Sequence, residues 1–156
     1  MSRIVNLGNC MRGCALLLLG DVVETDDAYT GSHSRDVVEL ALEVGRRMGL
    51  GADSLRDLEF GALLHDVGKI GIPDRILQKP GPLTPAERRL METHTVLGEQ
   101  LLRGVSFLRG TGLEVVRSHH ERWDGTGYPD RRAGTDIPVA ARVFAVADAL
   151  DAMTSD

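Results

Sequence analysis

The segment 61–74, GALLHDVGKIGIPD, constrains the fold most, because it places three ionisable side chains inside an apolar run. These are His65, Asp66 and Lys69, which fall within five consecutive positions. Burying an ionisable group is costly unless the group is paired or bound to a metal. The segment therefore either lies outside the core or forms a functional site.

Length and composition predict one globular domain and argue against nucleic-acid binding. The chain has 156 residues, of which 42% are hydrophobic and 26% charged, and this length suffices to bury a core. A formal net charge of -5 provides no basic surface for a polyanion. A small phosphate ligand is still compatible with this charge, because its site needs only local positive charge.

We expect residues 1–23 to be an N-terminal helix or leader of uncertain role. Cys10 and Cys14 lie four positions apart there, too few for a zinc knuckle without nearby histidines. The apolar run CALLLLG at 14–20 is too short to span a bilayer, and no small-residue cleavage site follows it. We interpret the run as the apolar face of a first helix over about 10–28, in a cytoplasmic protein with no membrane span.

The hydrophobic pattern predicts an all-α fold. We expect TGSHS at 30–34 to break or cap the first helix, and a second helix to extend to about Met48. Its predicted inward face consists of Val37, Ala41, Val44 and Met48. A third helix follows the candidate N-caps Asp53 and Ser54 and is stopped by Gly71 and Pro73. One face of this helix carries Leu55, Leu58, Ala62, His65, Asp66 and Lys69.

Three further helices complete the prediction. The fourth begins at Thr84, because Thr84, Pro85 and Glu87 form the pattern of a capping box. Its inward stripe consists of Leu90, His94, Leu97 and Leu101. A fifth helix covers about 112–121, and the glycine- and proline-rich stretch 122–138 is a loop. The last helix begins near Pro138 and is nearly all apolar.

The five histidines of the chain all fall on predicted inward positions. His33, His65 and His94 lie on the inward stripes of three different helices, and the pair His119 and His120 closes a fourth. Any one of them alone is more often a satisfied core or surface histidine than a ligand. Five inward histidines are much harder to explain by chance, so together they indicate a metal site.

Two aspartates support the same interpretation. Asp66 shares a face with His65, and Asp148 interrupts the apolar run VFAVADALDAM. Asp148 could instead pair with Arg142 or a helix cap, but metal binding offsets the burial of both carboxylates. Five imidazoles and two carboxylates exceed a four-coordinate zinc site and suit two divalent metals that share a bridging carboxylate. Ligation without cysteine favours iron or manganese over structural zinc.

Several separated motifs occur in an order that resembles the HD-GYP family. They are DAYTGSHS, HDVGKIGIPD, an isolated His94, HHERWDGTGYP and ADALDAMTS, and they cover about 24–156. This family is the bacterial branch of the HD phosphohydrolase superfamily that hydrolyses cyclic di-GMP. The resemblance implies an HD-domain helical bundle with a long GYP loop between the last two helices. It also implies that 24–156 is a catalytic core truncated at its C-terminus, with an upstream sensor or receiver domain in a longer parent protein.

The resemblance implies two metals that share Asp66. It assigns one metal to His33, His65, Asp66 and Asp148, and the second to Asp66, His94, His119 and His120. Relatives with a third metal use a glutamate four residues before the first histidine, where this chain has Tyr29. We therefore expect a binuclear centre, in which a hydroxide held between the metals attacks phosphorus. The products would be the linear dinucleotide, GMP or both.

The remaining roles each have an alternative. Besides Asp66, Lys69 is a candidate catalytic residue that binds the substrate phosphate, or else a surface lysine at a helix C-terminus. Arg122, Trp123 and Tyr128 would contact substrate, or the loop would be a rigid turn with Trp123 filling the core. Asp151 would orient a ligand from outside the ligand sphere, or be a surface carboxylate.

Three functions compete at this point. The complete ligand set favours a cyclic di-GMP phosphodiesterase. The first alternative is a catalytically impaired signalling module that uses the GYP loop for interaction, for example with cyclic di-GMP synthase domains. The second is an HD-type phosphohydrolase that acts on another nucleotide.

Overall fold

The chain forms a bundle of helices in a computed structural model that describes residues 30–105, 108 and 110–154, with side chains from residue 36 onward. The α-helices are α1 (Thr30–Arg47), α2 (Ala52–Leu63), α3 (Asp74–Leu77), α4 (Pro85–Glu92), α5 (His94–Leu102), α6 (Thr111–Ser118) and α7 (Val139–Thr154). Short 3₁₀ helices cover Val67–Gly71 and Gly134–Asp136. No strand occurs in this part of the chain, so the all-α prediction is confirmed.

The main core lies between α1, α2, α6 and α7, which pack against one another in pairs. Val37 and Ala41 from α1, Leu58 from α2, Val115 from α6 and Phe144 from α7 are all buried there. A smaller apolar cluster of Leu64, Leu102, Leu108 and Val116 lies beside it. The two clusters hold fixed the helix ends from which the site residues project.

Two glycines allow backbone segments to meet closely beside the site. A Cβ atom on Gly61 of α2 would lie 2.7 Å from the carbonyl oxygen of Gly112 on α6. A Cβ atom on Gly68 would overlap the carbonyl oxygen of His94, where the first 3₁₀ helix packs on α5. Larger side chains at either position would separate the elements that carry the histidines.

The third predicted helix ends earlier than expected. It stops at Leu63, so His65, Asp66 and Lys69 do not continue its face but lie in a turn and the 3₁₀ helix that follows. This turn redirects the chain so that Gly68 packs directly on α5. The predicted N-caps are also wrong, since Gly51 occupies that position and both Asp53 and Ser54 lie within the helix.

The fourth predicted helix is two helices. Its capping box is present, because Thr84 Oγ1 accepts the Glu87 N–H and the Glu87 carboxylate accepts the Thr84 N–H. The break falls at Thr93, whose hydroxyl donates to the Leu90 carbonyl at 2.6 Å and competes with the helical hydrogen bonds. Of the predicted inward stripe, Leu90 and Leu101 are exposed.

The other predicted helix boundaries differ less from those of the structure. The second helix (α1) begins at Thr30, so TGSHS lies inside it, and Met48 after its end is exposed rather than inward. The fifth helix (α6) ends at Ser118, before the histidine pair, and the last (α7) begins after Pro138 as predicted. The first predicted helix, with Cys10 and Cys14, lies outside the described residues. None of the described helices combines the length and hydropathy needed to cross a bilayer.

Candidate metal centre

The site is built where three elements end or begin. His65 and Asp66 lie in the turn after α2, His94 is the first residue of α5, and His119 and His120 follow the last residue of α6. The packing of α2 on α6, and of α5 on both α6 and the first 3₁₀ helix, brings these ends together.

Four side chains from these ends form a compact donor set, which we call the Asp66 cluster: Asp66, His94, His119 and His120. One ligand atom from each lies within 4.8 Å of all the others. His94 Nε2 lies 3.3 Å from Asp66 Oδ1 and 3.4 Å from His119 Nε2. The distance from His119 Nε2 to Asp66 Oδ1 is 4.0 Å. These are the residues that the family resemblance assigns to the second metal.

Backbone carbonyl groups fix the protonation of three imidazole rings. Nδ1 of His65 lies 2.7 Å from the Ala62 carbonyl oxygen, and Nδ1 of His94 lies 2.8 Å from that of Met91. His119 makes the corresponding contact with Val116 at 3.0 Å. A carbonyl oxygen only accepts, so each Nδ1 carries the proton and, in a neutral ring, Nε2 presents a lone pair. This arrangement is typical of metal-binding histidines.

The Asp66 cluster has acceptors but lacks donors. Asp66 Oδ1 is buried and has no hydrogen-bond partner among the described residues. It faces Nε2 of His94 and Nε2 of His119, whose lone pairs also point into the cluster. Three electron-rich atoms at these distances repel one another unless a cation lies between them. The donor set therefore fits a divalent metal with imidazole and carboxylate ligands.

The environment keeps most of the imidazoles neutral. Burial lowers the pKa of His94, partly against the attraction of Asp66. Burial and the neighbouring His120 hold the pKa of His119 well below its ordinary value. Burial also lowers the pKa of His120 to about 4. Neutral rings near pH 7 are the form that binds metals.

The second oxygen of Asp66 faces cationic partners. His65 Nε2 lies 3.2 Å from Asp66 Oδ2, and Lys69 Nζ lies 2.6 Å from the same atom. Burial lowers the pKa of His65, but the attraction of the Asp66 carboxylate, and the hydrogen bond that this carboxylate accepts from the protonated ring, raise it above its ordinary value overall. Burial raises the pKa of Asp66, yet His65 and Lys69 hold it well below its ordinary value. The carboxylate thus presents its two oxygens to two different groups of side chains.

The remaining predicted ligands are placed less completely. Asp148 lies on α7 one turn after Phe144, whose ring is 4.8 Å from that of His65, and its charge contributes to the raised pKa of His65. Asp151 lies one turn further along α7 and is half-buried. The His33 side chain and Tyr29 lie outside the described residues. The ligand roles of these residues stay predictions.

The loop after His120 contributes one side chain to the surroundings of the cluster. The Tyr128 ring lies 4.7 Å from that of His120 at an angle of 31°. Trp123 is 64% exposed, so the interpretation that it fills the core is wrong. The guanidinium of Arg142 lies 5.8 Å from the Trp123 ring, and Arg122 is exposed beside it.

Sequence reasoning missed the residues that hold this loop. Arg117 donates to both oxygens of Asp130, at 2.8 and 2.7 Å, and to Glu99 at 2.6 Å. We call Glu99, Arg117 and Asp130 the Arg117 cluster. Glu121 is 6% exposed and accepts the backbone N–H groups of Asp130 and Arg132. The one available signal was the position of Glu121 directly after the histidine pair, inside the HHE motif.

Comparison with known proteins gives consistent matches. The HD domain family matches residues 18–156. A cyclic di-GMP phosphodiesterase of Thermotoga maritima is 43% identical over 141 residues, which cover 90% of this chain and 38% of that protein. A 3'3'-cGAMP-specific phosphodiesterase of Vibrio cholerae is 38% identical over 136 residues, 86% of this chain and 26% of that protein.

A solved structure supports the same relationship. An HD-GYP-type protein from Bdellovibrio bacteriovorus superposes with a TM-score of 0.63 at 25% identity, covering 76% of this chain and 39% of that one. This chain therefore spans well under half the length of each of these three relatives.

Proposed function

The chain belongs to the HD domain family, in its HD-GYP branch, and from this membership we propose that it is a metal-dependent phosphodiesterase that hydrolyses cyclic di-GMP. The observation that carries the proposal is the buried oxygen Asp66 Oδ1, which faces two imidazole lone pairs without a donor. A purely structural role would leave this repulsion uncompensated. The interaction module without catalysis is less well supported, because such a module does not need the donor set.

We propose that two divalent metals, iron or manganese, share Asp66. His94, His119 and His120 would hold one of them together with Asp66, and this group is supported by the distances within the cluster. His65, Asp148 and His33 would hold the other together with Asp66. When bound, such ions supply Lewis-acid activation of water and of the phosphoryl oxygens. Binding at the second position requires a neutral His65 ring, whereas the neighbouring Asp66 raises its pKa.

The protein's own residues would prepare the site for an anionic substrate. The backbone contacts of the three Nδ1 atoms orient the rings before any ligand arrives, so little reorganisation is needed. Lys69 places its ammonium group beside Asp66 with 40% of its side chain exposed, so it can reach a phosphate at the mouth of the site. Tyr128 and the exposed Arg122 and Trp123 would contact the rest of the dinucleotide.

The substrate is expected to be a cyclic dinucleotide, with cyclic di-GMP preferred. The Thermotoga relative that carries this name is more similar to the chain than the Vibrio relative named for 3'3'-cGAMP. Both compounds present the same class of phosphodiester, so a direct comparison of the two is part of the test.

Incubating the Mn²⁺- or Fe²⁺-loaded protein with each cyclic dinucleotide tests the proposal. We expect chromatography to detect the linear dinucleotide or GMP, with faster turnover of cyclic di-GMP. Asp66→Ala should abolish turnover, whereas Glu87→Gln, in the exposed capping box, is a matched control that should retain it. Metal binding without turnover of either compound would overturn the enzymatic proposal and favour the interaction module.

Two further roles follow from the family and stay proposals. The exposed surface of the loop, with Arg122 and Trp123, is available to a cyclic di-GMP synthase domain. A longer parent protein would supply a sensor or receiver domain and place the site in the cytoplasm. A pull-down with a synthase domain, compared between the unaltered chain and Trp123→Ala, would test the first role.

A further inference from the structure

His120 is oriented differently from the other imidazoles of the site. His65, His94 and His119 each use Nδ1 to contact a backbone carbonyl. Neither ring nitrogen of His120 makes a hydrogen bond to any residue in the described part of the chain. Its ring instead contacts other rings, with His119 at 4.2 Å, Tyr128 at 4.7 Å and His94 at 5.2 Å. Since the backbone fixes the rings of His119 and His94, Tyr128 is the ring neighbour whose position depends on the loop.

The position of Tyr128 depends on how the loop folds back on its own start. The Tyr128 N–H donates to the His120 carbonyl at 3.3 Å. A Cβ atom on Gly127 would lie 2.5 Å from that carbonyl oxygen and 2.6 Å from Glu121 Cα. The backbone of 127–128 is therefore pressed against the backbone of 120–121, and the ring of Tyr128 follows.

Glu121 holds this loop in place through hydrogen bonds to the backbone of the loop. Its carboxylate is buried, and Oε1 accepts the Asp130 N–H at 2.7 Å while Oε2 accepts the Arg132 N–H at 3.0 Å. Both oxygens are thus engaged with the backbone just beyond Tyr128. A buried carboxylate needs such donors, and the two amides need an acceptor each, so the arrangement is mutually required.

We propose that Glu121 is a positioning residue for His120, acting through the closed loop and the ring of Tyr128. The inference rests on the proposed function in one respect, namely that His120 binds a metal. Groups outside the ligand sphere that orient a ligand change metal affinity or activity about 10- to 100-fold when mutated. For His65, His94 and His119 the orienting group is a carbonyl one turn earlier, whereas for His120 it is a segment of loop.

Glu121→Gln tests the proposal in the full chain. Glutamine keeps one acceptor but turns an NH₂ group towards one of the two backbone N–H groups, so one hydrogen bond is lost. We expect amide exchange at Asp130 and Arg132 to accelerate about 10-fold, and Mn²⁺ affinity measured by calorimetry to fall about 10-fold. Glu87→Gln removes a carboxylate that also accepts a backbone N–H, in the exposed capping box of α4 outside the loop, and should change neither quantity.

Tyr128→Ala tests the contact between the Tyr128 ring and His120, and it leaves the carboxylate acceptors of Glu121 in place. It should lower Mn²⁺ affinity by a similar factor. The double variant with Glu121→Gln should bind Mn²⁺ as well as the single variant that has the lower affinity, because the two residues act in series. This variant also decides the matter if Glu121→Gln does not fold. The proposal would be overturned if the losses of Mn²⁺ affinity in the two single variants multiplied in the double variant. It would also be overturned if Glu121→Gln accelerated amide exchange but left Mn²⁺ affinity within twofold of that of the unaltered chain.

The result is separable from the proposed function. If Glu121→Gln weakens Mn²⁺ binding but the unaltered chain hydrolyses no cyclic dinucleotide, the positioning role stands and the enzymatic proposal fails. If the unaltered chain binds no Mn²⁺, both are overturned.

Discussion

Helices α5 and α6 carry two clusters of polar side chains with opposite electrostatic balance. The Arg117 cluster places one guanidinium between two carboxylates, and its charged atoms meet partners of opposite sign at 2.6–2.8 Å. The Asp66 cluster, built at the start of α5 and just after the end of α6, gathers acceptors around an oxygen without a partner among the described residues. The first is complete as it stands and serves the fold. The second has the composition of a set of metal ligands, which makes it the candidate functional site.

Asp66→Asn is the strongest test of this difference between the two clusters. The amide can donate to an imidazole lone pair, so the repulsion that a cation would otherwise relieve disappears. We expect Mn²⁺ affinity measured by calorimetry to fall by more than about 100-fold, beyond the loss typical of groups outside the ligand sphere. The midpoint of urea unfolding without metal should fall only slightly, because relief of the repulsion at Oδ1 offsets the loss of the ion pairs that Oδ2 makes with His65 and Lys69. A large loss of metal-free stability would mean that Asp66 serves the fold instead.

Arg117→Ala should show the reverse pattern. It leaves two carboxylates without their shared partner, although Arg103 and Arg132 still neighbour them. We expect the free energy of unfolding, measured with urea, to fall by about 1–2 kcal/mol, discounted for partial exposure. Arg103→Ala removes only an exposed pair with Glu99 and should cost less than about 0.5 kcal/mol. Equal losses in the two variants would contradict the special role of Arg117.

The two clusters should also titrate in different pH windows when metal is removed. The pKa values of His94, His119 and His120 are lowered in the fold, so the folded state binds fewer protons than the unfolded state. Their contribution to stability is present above about pH 6.5 and is lost as the pH falls towards about 4. His65, with its raised pKa, opposes this trend in part.

The Arg117 cluster contributes in a more acidic window. Arg117 holds the pKa of Asp130 below its ordinary value, and together with Arg103 it outweighs burial to lower that of Glu99. Stability from these groups is present above pH 4.5 and is lost as the pH falls through the lowered values. Urea unfolding across pH 3–7 in chelator should therefore show two declines, and Arg117→Ala should flatten part of the lower one only, because the lowered pKa of Asp66 also places its contribution in the acidic window. A single decline would show that the clusters are not independent.

Sequence patterns predicted the helices well but not where they end. The stripe Val37 and Ala41 is buried as expected, because amphipathic periodicity reports directly on burial. The end of α2 at Leu63 and the break at Thr93 depend instead on the approach of Gly68 to α5 and on one hydroxyl bond. Such tertiary contacts leave no periodic signal.

The same contrast holds within the site. Histidines and aspartates in apolar surroundings are unusual enough to be recognised from sequence, and four of them do lie together. Glu121 and Arg117 could not be recognised in this way. Their partners are backbone N–H groups and carboxylates more than eight residues away, and charged residues of this kind are usually solvated.

The smallest expected effect belongs to Trp123, on the loop that joins the two clusters. The side chain is 64% exposed, and its described ring contact is with Arg142. Trp123→Ala should therefore change the free energy of unfolding by less than about 0.5 kcal/mol, as for most surface substitutions. Phe144→Ala, at a fully buried position of similar aromatic character, should cost about 3–5 kcal/mol.

Mn²⁺ affinity should stay within twofold in Trp123→Ala, and any loss of turnover should appear in KM, since base stacking is the contact this ring can offer. A loss of stability or of metal affinity would instead mean that Trp123 helps to couple the Arg117 cluster to the Asp66 cluster, and the two could no longer be treated as separate.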